Sequence, residues 1–359
     1  MPHDWATSRR RILASVFGLP EIDRVPFFPL ACEEMICRIS GKTYRELISS
    51  SKTYANAAIL TYEFLKADTI SIPTAYAGPA EALAFAEANN KNNVIKWSDY
   101  KVFMIKQGEV CKTEEDIEKL EIPDHSKISL WDTCISAINM IGEKTTVFPS
   151  CALGIWSVVQ ELRGVQAYRD MRRNPDLLLK LCEKIYESQM DLFHFYNERI
   201  GPSPTIFFTG YAFNKHMMSF EDAMKYEGQF IKKIQKETKA QIILHNCGTT
   251  PYFNEMCDEL DLAAVNGSHP LDIEYWIDFK KKHPEVTIIG ANIDVSRELF
   301  NGTPLDVENK VKENIEHLAP GGRYAVGPIC CLPWGVSLTN IMAIPKAIKK
   351  WGTYPLKFN

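Results

Sequence analysis

The stretch Gln241-Ile242-Ile243-Leu244-His245-Asn246-Cys247-Gly248 joins a short apolar run to a histidine and a cysteine that stand one residue apart. A continuous apolar run, without the alternation of a half-exposed strand, is typical of a parallel strand buried on both faces. The chain has seven more such runs, separated by polar turns and helix-like segments, at residues 25–30, 69–72, 146–148, 205–208, 262–265, 286–290 and 324–329. The pattern predicts an α/β fold, a single (β/α)₈ TIM barrel over residues 1–359.

The segments between the runs carry helix start and stop residues. Asn174-Pro175 predicts an N-cap followed by a first-turn proline, and Pro304 predicts the start of a further helix. Ser219, followed by acidic residues, predicts another helix start. Residues 76–135 lack this regularity and are predicted to form an insertion over one face of the barrel.

Composition restricts the class of protein. Of the 359 residues, 45% are hydrophobic and 24% are charged, and 41 basic against 45 acidic residues give a net charge of −4. Arg9-Arg10-Arg11 is typical of a solvated helix start, and no basic patch suited to nucleic acid is evident. The polar N-terminus and the lack of a long apolar run predict a cytoplasmic protein without a membrane span. The ten cysteines are therefore expected to be reduced thiols.

Metal-binding residue types recur at the carboxyl ends of the predicted strands. His245 and Cys247 follow the fifth run, and the pair Cys330-Cys331 ends the eighth. In a barrel these ends meet on the rim that carries active sites, where we also expect Asn266, Asn292 and Asp294. One imidazole and two thiolates predict zinc, because soft sulfur ligands favour zinc over magnesium, calcium or manganese. Three protein ligands leave a fourth position open, as in catalytic zinc sites.

Several motifs resemble the uroporphyrinogen decarboxylase superfamily, in particular its zinc-dependent, corrinoid-linked methyltransferase branch. Arg11-Ile12-Leu13 and Ile22-Asp23-Arg24-Val25-Pro26 are similar to its opening N-terminal helix and first strand. Ile243-Leu244-His245-Asn246-Cys247-Gly248 resembles its zinc strand, and Gly327-Pro328-Ile329-Cys330 with Leu338-Thr339-Asn340-Ile341 resembles its last strand and next helix.

The last of these motifs departs from the family pattern. Cys331 stands where the family usually has glycine, and Val336-Ser337 and Thr339 stand where it usually has Thr-Pro and Glu. Counting back from Asn340 assigns the third metal ligand to Cys330, with Cys331 as the alternative.

The resemblance implies a zinc ion and a corrinoid (cobalamin) carried by a separate partner protein. We expect a methyltransferase that moves a methyl group from a small donor, such as an aromatic methyl ether, to the cobalt of that corrinoid protein. The alternative is transfer from a methyl-corrinoid protein to a small thiol such as coenzyme M. A uroporphyrinogen decarboxylase is disfavoured, because Ala31-Cys32-Glu33-Glu34-Met35 is acidic where that family is arginine-rich. A zinc-stabilised scaffold without turnover would need a fourth protein ligand.

Further residues are candidates for the same site, each with an ordinary structural alternative. Glu33, Glu34 and Asp294 are candidate catalytic proton donors, although two adjacent glutamates are also typical of a solvated surface and Asp294 of a helix cap. Ordinary loop packing is the alternative for the candidate substrate-binding residues, which are Tyr211, Asn214, His216 and Trp334. The expected partners are the corrinoid protein and the small methyl donor or thiol acceptor. A homodimer is left open.

Overall fold

The computed structural model describes residues 3–20, 23–71, 80–99, 104–144, 147–148 and 151–358. The strands within them are β1 (Ile70–Ser71), β2 (Ile95–Lys96), β3 (Met104–Ile105), β4 (Val147–Phe148), β5 (Cys151–Leu153), β6 (Thr205–Thr209), β7 (Gln241–Asn246), β8 (Leu262–Gly267), β9 (Thr287–Ile289) and β10 (Tyr324–Ala325).

Helices alternate with these strands along the chain. The α-helices are α1 (Trp5–Phe17), α2 (Glu33–Ser40), α3 (Tyr44–Ser49), α4 (Ser51–Leu65), α5 (Ala80–Ala88), α6 (Glu114–Glu118), α7 (Ser129–Gly142), α8 (Ile155–Arg163), α9 (Gln166–Arg173), α10 (Pro175–Ile200), α11 (Phe220–Ala223), α12 (Gln229–Thr238), α13 (Phe253–Glu259), α14 (Ile273–Lys282), α15 (Pro304–Leu318) and α16 (Leu338–Trp351). Shorter helical segments are the 3₁₀ turns Asn92–Val94 and His125–Lys127 and the π-helical turns Met224–Gly228 and Val295–Phe300.

Helix starts follow the sequence pattern. The predicted start of α15 at Pro304 is confirmed, and Thr303 forms a capping box with Asp306. The side chain of Ser219 accepts a hydrogen bond from Asp222 N, as an N-cap should. The α10 helix begins at Pro175 as predicted, but the preceding asparagine makes no side-chain capping bond. No helix in the described part of the chain is long and apolar enough to cross a membrane.

The parallel strands pair in two groups. Six parallel strands pair in the order β10-β9-β8-β7-β6-β5, and β1 pairs in parallel with β4. The first predicted run bridges β10 and β1, since Phe28 N donates to Val326 O at 2.8 Å and Asp68 N donates to Phe27 O at 3.0 Å. The predicted (β/α)₈ barrel is therefore confirmed.

Two strand positions differ from the sequence prediction. The run 25–30 makes a single parallel bridge, between Phe27 and Val326, because Pro26 and Pro29 have no N–H to donate to a ladder. The structure also has the short strand β5, which the sequence pattern did not predict because three residues show too little periodicity. Residues 72 and 146 of the predicted runs lie outside the described residues.

The predicted insertion contains several short elements. Its described part holds α5, α6 and an antiparallel pair in which Ile95 of β2 lies opposite Ile105 of β3. Residues 76–79 and 100–103 lie outside the described part. The end of the predicted insertion falls within α7, which packs against α4. That helix belongs to the outer helical layer, so the insertion ends before Ser129.

Two apolar cores lie on either side of the strands. The larger core fills the space between strands and helices. The smaller core lies inside the barrel beneath α1, and its members are Ile12, Val16, Phe28, Leu30, Phe207, Ile243, Ala263, Ala264, Ile289 and Ala325. Because side chains alternate across a strand, residues two positions beyond these lumen residues face the mouth of the barrel.

A buried carboxylate fastens α1 to the barrel. Asp68 is fully buried and accepts hydrogen bonds from Ser8, Arg11, Arg24 and the Phe27 backbone N–H. Arg11 also pairs with Asp23. The prediction that the arginine run is a solvated helix start is thus wrong for Arg11, whose side chain is 12% exposed and bridges two carboxylates.

Candidate metal centre

The candidate ligands meet at the mouth of the barrel. His245 lies two positions after Ile243 of the inner core and therefore faces the lumen. The parallel register places His245 beside Asn266 of β8. Cys330 enters from the segment after β10, which is held beside the residues after β9 because Ile329 N donates to Ile293 O at 3.0 Å.

Three side chains form a compact cluster. His245 Nε2 and Cys247 Sγ are 2.7 Å apart. Cys330 Sγ lies 3.7 Å from Cys247 Sγ and 3.8 Å from His245 Nε2. The histidine is buried and the two cysteines are half-buried. The structure thus brings together all three predicted metal ligands.

The cluster fits a zinc ion. In a tetrahedral site with Zn–S bonds of about 2.3 Å and Zn–N bonds of about 2.0–2.1 Å, two sulfurs lie about 3.8 Å apart, and a nitrogen and a sulfur about 3.6 Å apart. Both distances to Cys330 match this geometry. The contact between His245 and Cys247 is a direct hydrogen bond, which a bound ion would replace by a separation roughly 1 Å longer. Among the described residues the cluster has three members, which leaves one tetrahedral position free.

The pKa values of the two cysteine thiols are shifted in opposite directions. The hydrogen bond with Cys247 is the main cause that lowers the pKa of Cys330, to about 4. That bond between the cysteines, with burial, raises the pKa of Cys247, whereas hydrogen bonds from Tyr211 and Ser268 oppose the rise. Metal binding requires a thiolate, and the lowered pKa of Cys330 favours that form.

Two asparagines stabilise the loops around the cluster. The buried Asn246 donates to Gly210 O at 2.6 Å and to Phe213 O at 3.0 Å, and its Oδ1 accepts from Gly248 N at 2.7 Å. A Cβ at Gly248 would lie 1.3 Å from Asn214 Nδ2, so the close approach of the two loops requires glycine there. These contacts fix the backbone on both sides of Cys247.

Cys331 is paired away from the cluster. It forms a disulfide with Cys32, and the two Cα atoms are 5.9 Å apart, as is usual for a disulfide. The prediction that all cysteines are reduced is therefore wrong for this pair. Sequence spacing could not reveal it, because the two residues are separated by 299 positions. The pairing also favours Cys330 over Cys331 as the metal ligand.

Glu33 and Glu34, the two candidate carboxylates of α2, lie in different environments. Glu33 is fully buried, accepts a hydrogen bond from Tyr54 OH at 2.9 Å, and has its pKa raised to about 7 by burial. Glu34 Oε2 accepts from Trp334 N at 3.0 Å. Neither glutamate belongs to the three-membered cluster of the described residues. Their proton-transfer role stays a prediction.

Asp294 acts as a helix cap. Its Oδ1 accepts from Ser296 N at 2.6 Å and from Arg297 N at 3.1 Å, at the start of the π-helical turn Val295–Phe300. This is the structural alternative that the sequence suggested. A catalytic role would have to use the remaining carboxylate oxygen.

The predicted substrate-binding residues are spread around the mouth. Tyr211 is closest to the cluster, since its hydroxyl hydrogen-bonds to Cys247. The pKa of this phenol is raised, mainly by burial. Asn214 is buried, and its Oδ1 accepts from His216 N and Thr250 Oγ1. His216 itself is exposed. Trp334 is 39% exposed, and Arg38 donates to its carbonyl oxygen.

The contact between Asn266 and His245 was not predicted from the sequence. Asn266 was expected on the rim without a role, yet its Oδ1 lies 2.5 Å from His245 Nδ1. The equivalent positions of the two residues near the ends of β7 and β8 could have suggested this pairing.

Comparison with known proteins identifies the family. The sequence matches the family Uroporphyrinogen decarboxylase (URO-D) over residues 7–351. The chain therefore belongs to the uroporphyrinogen decarboxylase family, as the sequence motifs predicted. Its structure is similar to that of a methyltransferase from Methanosarcina mazei, with a TM-score of 0.75 and 17% sequence identity over 96% of this chain and 98% of that chain. At this identity the likeness shows a shared fold. A comparison with curated protein sequences finds no match.

Proposed function

We propose that this protein is a zinc-dependent methyltransferase that transfers a methyl group from a small methyl donor to the cobalt of a separate corrinoid protein. The observation that carries the proposal is the cluster of His245, Cys247 and Cys330 at the barrel mouth, with Sγ–Sγ and Nε2–Sγ distances of 3.7 and 3.8 Å to Cys330. The structural neighbour named as a methyltransferase supports the same class of reaction.

The three side chains would hold the ion and leave one position for the heteroatom of the methyl donor. Zinc bound there would supply Lewis acidity to that heteroatom, which makes its methyl group easier to remove. Tyr211 lies beside Cys247, and its hydroxyl donates a hydrogen bond to the sulfur that would bind the ion. The loop at 210–214 would wall one side of the bound donor, for which an aromatic methyl ether is the proposed example.

The first test of the proposal is metal content. We expect the wild-type protein, expressed with sufficient zinc, to contain about one zinc per chain by elemental analysis. The His245→Ala variant should lose it, because two thiolates without the imidazole make an incomplete site. Thermal denaturation of the variant controls for misfolding. Wild-type protein without zinc under these conditions would contradict the proposal.

A second test distinguishes the two directions of transfer. Cob(I)alamin is offered with a panel of methyl donors, including aromatic methyl ethers, and formation of methylcobalamin is followed by absorbance. In parallel, methylcobalamin is offered with small thiols such as coenzyme M. Turnover in the first assay alone supports the proposed direction, and turnover in the second alone would replace it by thiol methylation. Decarboxylation of uroporphyrinogen by the zinc-free protein would contradict both.

A further inference from the structure

The amide of Asn266 makes three hydrogen bonds beside the candidate metal centre. It is fully buried, and its Oδ1 lies 2.5 Å from His245 Nδ1. Its Nδ2 donates to Ile289 O at 2.8 Å and to Pro328 O at 3.2 Å. One amide therefore joins the end of β7, the end of β9 and the segment that leads to Cys330.

The two carbonyl groups determine which way the amide points. A backbone carbonyl oxygen can only accept, so the amide atom that faces Ile289 O and Pro328 O must be the NH₂ group. The oxygen of Asn266 then faces His245, and an amide oxygen can only accept. His245 Nδ1 must consequently carry a hydrogen. In a neutral ring this leaves the lone pair on Nε2, the atom that lies beside Cys247 and Cys330.

The same amide also sets the position of another ligand. Pro328 stands two residues before Cys330, so the hydrogen bond to its carbonyl fixes the segment from which that thiolate projects. Gly290 allows this approach, because a Cβ there would lie 2.8 Å from Pro328 O and 3.1 Å from Asn266 Nδ2. The spacing between the imidazole and the thiolate therefore depends on Asn266.

We propose that Asn266 is the positioning residue of the metal centre, which selects the Nδ1–H tautomer of His245 and holds the Cys330 segment at ligand distance. The inference rests on the proposed zinc site. Groups that hydrogen-bond to a metal-binding histidine typically change metal affinity by about 10- to 100-fold when they are removed.

Three variants separate positioning from general stabilisation. Asn266→Asp keeps an oxygen that accepts from Nδ1–H but loses the NH₂ donors to the two carbonyls. Asn266→Leu has a similar volume and loses both functions. Asn314→Leu is the matched control, because Asn314 is equally buried and donates to Gly290 O without contacting a ligand.

The decisive measurements are zinc affinity and histidine tautomer. Zinc is titrated against a chromophoric chelator, and the ring nitrogens of His245 are assigned by ¹⁵N NMR of the metal-free protein, with His245→Gln to identify its signals. We expect Asn266→Leu to weaken zinc binding at least about 10-fold and to lose the Nδ1–H signature. Asn266→Asp should keep the tautomer and bind zinc more tightly than the leucine variant. Asn314→Leu should be less stable with unchanged affinity and tautomer.

The outcomes distinguish this inference from the proposed function. Equal zinc affinity and an unchanged tautomer in Asn266→Leu would overturn the role of Asn266 while leaving the zinc site in place. A wild-type protein that binds no zinc would instead overturn the proposed function. The NMR measurement on the metal-free protein would then still decide whether Asn266 selects the His245 tautomer.

Discussion

Replacement of Asp68 by alanine should destabilise the barrel without affecting the metal centre. Asp68 is fully buried and paired with Arg11 and Arg24, whose side chains are 12% and 21% exposed. Its removal leaves two largely buried guanidinium groups without their common carboxylate and Phe27 N without an acceptor. Breaking a buried ion pair in this way typically costs about 3–5 kcal/mol.

The expected shift in melting temperature follows from the size of the chain. An entropy of unfolding of about 2.1 cal/mol/K per residue gives about 0.75 kcal/mol/K for a chain of 359 residues. A loss of about 4 kcal/mol should therefore lower the melting temperature by about 5 °C. The measurement is calorimetric or circular dichroism melting of Asp68→Ala, with zinc content determined on the same sample.

Asp23→Ala is the matched control for this experiment. Asp23 pairs with the same Arg11 side chain, but it is 48% exposed. Exposed ion pairs contribute about 0–1 kcal/mol, so we expect a shift of about 1 °C or less. Equal shifts for the two variants would refute the argument that burial and shared pairing make Asp68 important. A loss of zinc in Asp68→Ala alone would show that the carboxylate acts on the site.

Further predictions concern the cysteines and a buried glutamate. Cys330→Ala should lose zinc by elemental analysis, whereas Cys331→Ala should keep it; equal retention would contradict the ligand assignment. Denatured, unreduced protein should show two thiols fewer than the ten cysteines of the sequence. Cys32→Ser should lower stability by up to about 5 kcal/mol, since the disulfide closes a loop of 299 positions; ten reactive thiols before reduction would exclude the disulfide. Burial raises the pKa of Glu227 from 4.5 to about 8 in the folded protein. Because the unfolded chain releases this proton at a lower pH, the free energy of unfolding should fall as the pH rises from about 4.5 to about 8. Urea denaturation should show that Glu227→Gln gains roughly 3 kcal/mol over wild type between pH 4 and pH 7; a pH-independent difference would contradict this.

The barrel was predictable because its strands are buried on both faces. Seven of the eight predicted runs contain hydrogen-bonded strands that begin within one residue of the expected positions. The exception, 25–30, contains two prolines and makes only a bridge. The short strand β5 was missed, since a run of three residues has too little periodicity to be recognised.

The placement of His245 and Cys247 in one cluster was predictable from local sequence. His245 and Cys247 end a buried strand, and strand ends of a barrel share one rim. The contacts of other candidates were not predictable, because they depend on the direction of a side chain. Asp294 caps a helical turn, and Glu33 turns toward Tyr54 of the helical layer.

The sequence by itself determined the barrel class, the family and the three residues that meet at the mouth. The barrel and the position of His245 and Cys247 follow from apolar periodicity and residue types at strand ends, whereas the family and the choice of Cys330 follow from the resemblance to the family motifs. Only the tertiary structure decided that Cys331 pairs with Cys32 and that Asn266 orients His245. Both contacts join segments from different strands, and their geometry depends on the register and closure of the barrel, which local patterns do not encode.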